Sequence, residues 1–363
     1  MMKSLKTPAL ASLCALLPAA GFADPRVVTD VAPVHGLVAR VMEGVATPDV
    51  IVDQSASPHG FSLRVSQARA LEQADLVFWV GPALTPWLSE PLETVASGAE
   101  VVSLLTTDGV TRLSFRDDHD DHDDHEDHDD HADHDDHADH DDHDDHADHG
   151  DHADHDDHKD HSDHAGHETH GEQGNHAMKE AHDDHGHDHH EGGIDPHAWL
   201  DPRNALVWLD VIAEELAHVD PDNAESYARN AAEARGEIVA LQAELTQLMA
   251  PHKGASYVVL HDGYQYFDRA YDLDFEGSIL DAAAAGQGPK HLQEVRAHIR
   301  EHGVACLLTE PQLNASLVAT VTEGLDMKIQ QIDPLGAELE LGAGFYPALM
   351  RQLAENVAAC LSR

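Results

Sequence analysis

Positive charge is scarce in this chain. Its 363 residues hold 21 Lys and Arg against 69 Asp and Glu, a formal net charge of −48 with histidine counted neutral. The lack of a basic face to neutralise phosphates argues against nucleic-acid binding, and equally against a polybasic membrane patch. Cysteine is scarce too: three residues leave little room for a thiolate metal site. The apolar run Ala9–Ala20 falls short of the roughly 20 residues that a membrane helix needs. No helix-borne HExxH or comparable catalytic motif is present.

The N-terminus instead has the parts of an export signal. Lys3 and Lys6 supply the positive region, Ala9–Ala20 the short apolar core, and Gly21-Phe22-Ala23 the small residues before a cleavage that would start the mature chain at Asp24. A lipoprotein anchor needs a small residue before the cysteine, and Leu13 precedes Cys14. Cleavage leaves Cys306 and Cys360, which in an oxidising compartment either bridge to each other or stand as two buried thiols. A bridge would close a loop of about 55 residues and contribute roughly 3–4 kcal/mol in the chain-entropy model.

Histidine is what the chain has in excess. From His119 to His170 it recurs at every third residue, mostly separated by aspartate, and segment 117–193 holds 24 of the 33 histidines and 32 of the 69 acidic residues. The segment carries −30 of the net charge and the remainder −18. Imidazole is the commonest ligand for borderline-soft divalent ions, so the tract points to metal handling. Having almost no apolar residues, it cannot offset its ordering entropy by burial and is expected to be disordered without metal. Its histidines, among them His119, His122, His125, His128, His131, His134, His137 and His140, are expected to form a loose accessory metal collector. The exact period of three is equally the product of an expanded coding repeat.

On either side of the tract, strand-like and helix-like segments alternate. Strands are expected at 26–31, 49–52, 76–80 and 100–105, and again at 256–260, 304–309 and 328–332. Helices fall between them, and 221–250 reads as one long helix with proline only at its ends. This alternation predicts an α/β fold of two lobes, each a mostly parallel sheet flanked by helices, joined by a long rigid helix, with a metal site in the inter-lobe cleft. The expected divisions are a signal peptide at 1–23, an N-terminal lobe at 24–220 carrying the insertion 117–193, a linking helix at 221–250 and a C-terminal lobe at 251–363.

Nine histidines lie outside the tract. His59, His197 and His261 sit among turn formers at or near strand ends, and the expected topology brings those ends toward one cleft. Asp333, after the strand at 328–332, occupies an equivalent position. It is either an anionic fourth ligand or a turn-forming aspartate before Pro334. Three imidazoles and a carboxylate suit tetrahedral Zn²⁺ better than Mn²⁺, which favours more oxygen donors. Asp262 and Glu310 are candidates for orienting a ligating imidazole or are ordinary ion-pair partners. His298 and His302, four apart on a helix, can chelate weakly at a surface but read as a solvated pair. His35, His218, His252 and His291 read as structural.

Five segments, SPHGFSLRVSQARALEQADLVFWVG (57–81), DPHAWLDP (195–202), VVLHDGYQYFDRAYDL (258–273), LLTEPQ (307–312) and IDPLG (332–336), carry a family likeness. With the acidic histidine-rich insertion between the first two, the chain resembles the ZnuA-type periplasmic zinc-binding proteins of bacterial zinc ABC transporters, over nearly its whole mature length. The resemblance implies that His59, His197 and His261 bind the metal. It also implies zinc, because manganese-handling relatives have glutamate where His261 stands. Cys306 and Cys360 fall where zinc-binding relatives carry a disulfide. The implied partner is an inner-membrane zinc ABC permease, with a periplasmic zinc chaperone as a candidate second partner and a monomeric state. One departure matters: some relatives have an acidic residue before the first histidine, and Pro58 stands there here. The fourth coordination place then falls to Asp333, to water or to a histidine of the tract.

The leading expectation is a non-enzymatic periplasmic carrier that captures Zn²⁺ and delivers it for import. Binding needs neutral imidazoles, so its affinity is expected to fall through the ordinary histidine pH range. The competing expectations are a zinc-storage protein in which the tract is the main site, and a zinc-dependent hydrolase using three histidines and a water.

Overall fold

The computed structural model describes residues 24–116 and 193–362, except 282, 283, 287 and 314. The expected signal segment and the loop histidines from His119 to His140 lie outside the described residues.

The first half begins with strand Val27–Thr29 (β1), helix Ala32–Val41 (α1), the short strand Asp49–Val50 (β2) and helix Val65–Glu72 (α2). Strand Leu76–Trp79 (β3), helix Ser89–Thr94 (α3) and strand Glu100–Ser103 (β4) complete a four-stranded sheet of order β2-β1-β3-β4. Helices Pro202–Val219 (α4) and Ala224–Met249 (α5) follow. The second half contains strand Ser256–His261 (β5), helix Gln265–Tyr271 (α6), strand Asp274–Leu280 (β6) and helix Gly288–His302 (α7). Strand Cys306–Thr309 (β7), helix Ala315–Thr322 (α8), strand Lys328–Gln331 (β8) and helix Phe345–Leu361 (α9) end the chain. The second sheet has the order β6-β5-β7-β8. Every strand pairing in both sheets is parallel, as the alternation of elements predicts.

Parallel strands covered on both faces must be apolar on both faces, and β3 and β5 are. Leu76 and Phe78 of β3 and Tyr257 and Val259 of β5 point into one continuous core that also takes in α1, α4, α5 and α9. Val77 and Trp79 face a separate cluster closed by Leu71 and Leu92 from α2 and α3. Val258 and Leu260 face a third, closed by Val295 and Ile299 of α7 and Val321 of α8. The two sheets therefore share a core through their inner faces. The long helix runs through it as expected, with a 3₁₀ turn at each end, Pro221–Asn223 and Ala250–His252.

Along α5 the buried positions Tyr227, Ala231, Ala234, Ile238, Leu241, Leu245 and Met249 recur at three- and four-residue spacing, so one stripe is apolar. At 1.5 Å per residue its 26 residues span about 39 Å. Asn230 on the same stripe donates to the carbonyls of Val41 (2.9 Å) and Glu43 (2.8 Å), capping the end of α1. Cys306 and Cys360 are bonded, tying β7 to the end of α9 across 54 positions of sequence.

Two elements depart from expectation. The strand β6 was not foreseen, because its sequence DFEGSIL carries two acids and Gly277, and Gly277 adopts a positive φ of +140°. As an edge strand beside an irregular register at Tyr257/Val259, it needs no continuous apolar run. Between β3 and β4 the chain forms only a short helix, and a 3₁₀ turn at Pro86–Leu88 precedes α3. Pro86 and Pro91 explain this, since neither can donate a helical hydrogen bond.

Candidate metal centre

Three segments converge where the strands of both sheets end. The first is the turn after β2. Trp87 Nε1 donates to the carbonyl of Pro58 (2.7 Å), and the Trp87 ring packs against Phe61 with centroids 5.4 Å apart, so His59 is held from both sides. His59 Nε2 is buried and has no hydrogen-bond partner. Burial, with the His197 and His261 imidazoles adding, pushes the His59 ring down to about 2.

The second segment leads into α4. Asp195 Oδ1 accepts from the backbone N–H of His197 (2.9 Å) and lies 2.8 Å from His197 Nδ1. The segment is locked by Tyr266 Oη donating to Asp195 O (2.9 Å), Trp199 Nε1 donating to Pro334 O (3.1 Å) and Tyr346 Oη donating to Trp199 O (2.8 Å). Burial holds the His197 ring well below its usual pKa. Burial also raises the Asp195 carboxyl to about 6, against the lowering effects of the His197 N–H and of Arg116.

The third is the end of β5. His261 closes the strand, and its Nδ1 lies 3.1 Å from Glu310 Oε1, which also accepts from Tyr264 Oη (2.9 Å). Both side chains are nearly fully buried. Gly263 makes the turn possible: a Cβ there would lie 2.7 Å from His261 Cε1 and 3.2 Å from His197 Nε2.

The three histidines each bring one ligand atom, and these atoms lie within 4.8 Å of one another. Ring centroids are 5.4 Å apart for His59–His197, 5.4 Å for His59–His261 and 4.9 Å for His197–His261. Three imidazoles crowded together, His197 and His261 buried and His59 half-buried with an orphaned nitrogen, suit a shared cation, which supplies what that nitrogen lacks. Two of the rings have Nδ1 engaged by a carboxylate, the arrangement that fixes tautomer and raises ligand basicity.

A protein-family model described as zinc-uptake complex component A, periplasmic (ZnuA), matches residues 27–360. The chain belongs to the ZnuA family. The high-affinity zinc uptake system protein ZnuA of Paracoccus denitrificans is 40% identical over 338 residues, covering 93% of this chain and 92% of that protein. Its counterpart in Brucella suis biovar 1 is 37% identical over 342 residues, with the same shares covered. Among solved structures, the periplasmic zinc binding protein TroA from Treponema pallidum has the same fold. Its TM-score is 0.67 at 16% identity, covering 94% of this chain and all of that one.

Within this ZnuA-family fold, His59, His197 and His261 come together, and Asp333 does not join them. Asp333 Oδ1 accepts from Leu335 N and Gly336 N (2.9 Å each) and from Gln312 Nε2 (2.8 Å), while its other oxygen accepts from Ala337 N (2.5 Å). The turn that follows β8 uses its carboxylate, as an aspartate before proline commonly does. Glu310 does orient His261. Asp262 pairs instead with Arg116 (2.6 Å), which also grips Asp268 and stacks over Phe275. Sequence reasoning did not single out Asp195 or Arg116. The DPH spacing, an Asx turn two residues before a histidine, was the available signal for Asp195. Nothing local marked Arg116, whose partners lie more than 140 positions away.

Proposed function

We propose that this protein captures Zn²⁺ in the periplasm at His59, His197 and His261 and hands it to an inner-membrane ABC permease for import. The observation that carries the reading is the convergence of three imidazoles, two buried and one half-buried, whose ligand atoms lie within 4.8 Å of one another. Nε2 is the ligand atom of His197 and His261, since Nδ1 of each faces a carboxylate. The fourth position goes to water, with Asp333 kept as the turn former. Zinc is supported by the nitrogen-rich donor set and by the zinc uptake relatives.

Binding rather than turnover is supported by the carboxylates nearest the rings. Asp195 and Glu310 are both spent on Nδ1 atoms, so neither is placed to act as general base on a bound water. The histidine-rich insertion serves as an accessory collector. Its two stems leave the described fold side by side, Phe115 N donating to Gly193 O (3.0 Å) beside the Ser114–Ile194 bridge.

The test is metal titration of demetallated protein with and without residues 117–193. The carrier reading expects one tight site to survive the deletion and to vanish in His59→Ala, His197→Ala and His261→Ala variants. One zinc held at unchanged affinity by the deleted protein with all three replaced would overturn it.

A further inference from the structure

Glu276, His298 and His302 form a second cluster, again with ligand atoms within 4.8 Å of one another. Glu276 lies on β6, and the two histidines are four positions apart on α7, which puts them on one face. His298 Nε2 is 2.7 Å and His302 Nδ1 3.9 Å from the same oxygen, Glu276 Oε2. The two rings are stacked, with centroids 4.1 Å apart and planes at 20°.

A surface hydrogen bond would need only one imidazole for this carboxylate oxygen. Here two converge on it. In a tetrahedral zinc site with ligands at about 2.0–2.1 Å, neighbouring donors are about 3.3–3.4 Å apart. The shorter of the two distances must open and the longer close by about 0.6 Å each to reach that value. Side chains 20%, 28% and 48% exposed can make such an adjustment. His302 is also the last residue of α7, where the partial negative charge of the helix end favours a cation.

The cluster is separate from the three-imidazole centre. Phe275 is in register with Tyr257, and Leu280 with His261, so Glu276 lies roughly 10–13 Å back along the sheet from His261. It also stands on the sheet's edge strand.

We propose that Glu276, His298 and His302 form an independent site for a borderline divalent cation such as Zn²⁺. Water completes the coordination, and the ion clips the end of α7 to β6. Being half open, the site binds more weakly than the buried centre and fills at micromolar free metal.

Carbethoxylation of histidine by diethyl pyrocarbonate, read peptide by peptide by mass spectrometry on the full chain in zinc buffers, tests this. His291, on the same helix with its Nε2 bonded to Ser278 O, is the internal reference. Modification of His298 and His302 is expected to fall at least about fivefold relative to His291 as free Zn²⁺ rises into the micromolar range, since a coordinated imidazole has no free lone pair. Glu276→Ala, with its fold checked by circular dichroism, is expected to lose most of that protection. In His302→Ala, His298 is expected to stay reactive at the same zinc level. Equal reactivity of both histidines with and without zinc would overturn the proposal, as would full protection in folded Glu276→Ala.

Discussion

Acidification separates a buried metal centre from a set of ordinary histidines. Three imidazoles with the usual pKa of about 6.5 would each lose about eightfold in availability between pH 7 and pH 5.5, about 600-fold together. Burial lowers the pKa of His59 to about 2 and holds His197 well below its usual value. A lowered imidazole pKa keeps the ring neutral as pH falls, so protons do not compete with metal at those two nitrogens within this window. At most one ring and the Asp195 carboxyl, raised to about 6, are left to titrate, and zinc affinity is expected to fall by less than about 100-fold from pH 7 to 5.5. The measurement is a competition titration against a chelator corrected for its own protonation, on protein lacking residues 117–193. The Ser114–Ile194 bridge brackets that segment, so a short turn can replace it. An affinity that drops several hundredfold over the window would refute the reasoning and return the site to ordinary, solvated histidines.

Glu310→Gln removes the charge behind His261 while keeping its size, and is expected to weaken zinc binding about 10–100-fold, measured by the same competition. Unchanged affinity would mean that Glu310 does not orient the ring. Gly263→Ala drives a methyl against His261 Cε1 and toward His197 Nε2, so zinc affinity should fall at least about tenfold with little change in the circular dichroism spectrum. Arg116→Ala strands the buried Asp268 carboxylate without its cation, and thermal or urea unfolding is expected to show a loss of about 3 kcal/mol. A loss below about 1 kcal/mol would show that the pair is solvated after all.

How far the sequence carried depends on whether each signal was local. Alternating apolar segments located seven of the eight strands among the described residues, because β1, β3, β5 and β7 must be apolar on both faces. They missed β6, whose acids and Gly277 are tolerated only at an edge. The three histidines of the proposed site were legible because each stands among turn formers at a chain reversal. Asp333 stands among turn formers too, and its carboxylate accepts the N–H groups of that turn. The support of the site was the least legible part. Glu310 reaches His261 across 49 positions and Arg116 reaches Asp262 across 146, distances at which no sequence period survives.

The two sheets repeat one winding order, so the end of β1 and the end of β5 are the same station in two copies of a pattern. At the first stands Asp30, raised to about 7 by burial and accepting the N–H groups of Val31 and Val80, each at 2.8 Å. At the second stands His261. One copy uses its station to close its own sheet, and the other turns it toward the cargo. In the proposed site one half thus contributes a fixed strand end, His261, and the other two chain reversals, His59 and His197. The reversal at His59 is held by Trp87 of its own half and can move without disturbing a strand, whereas the reversal at His197 is bonded to Tyr266, Pro334 and Tyr346 of the other half.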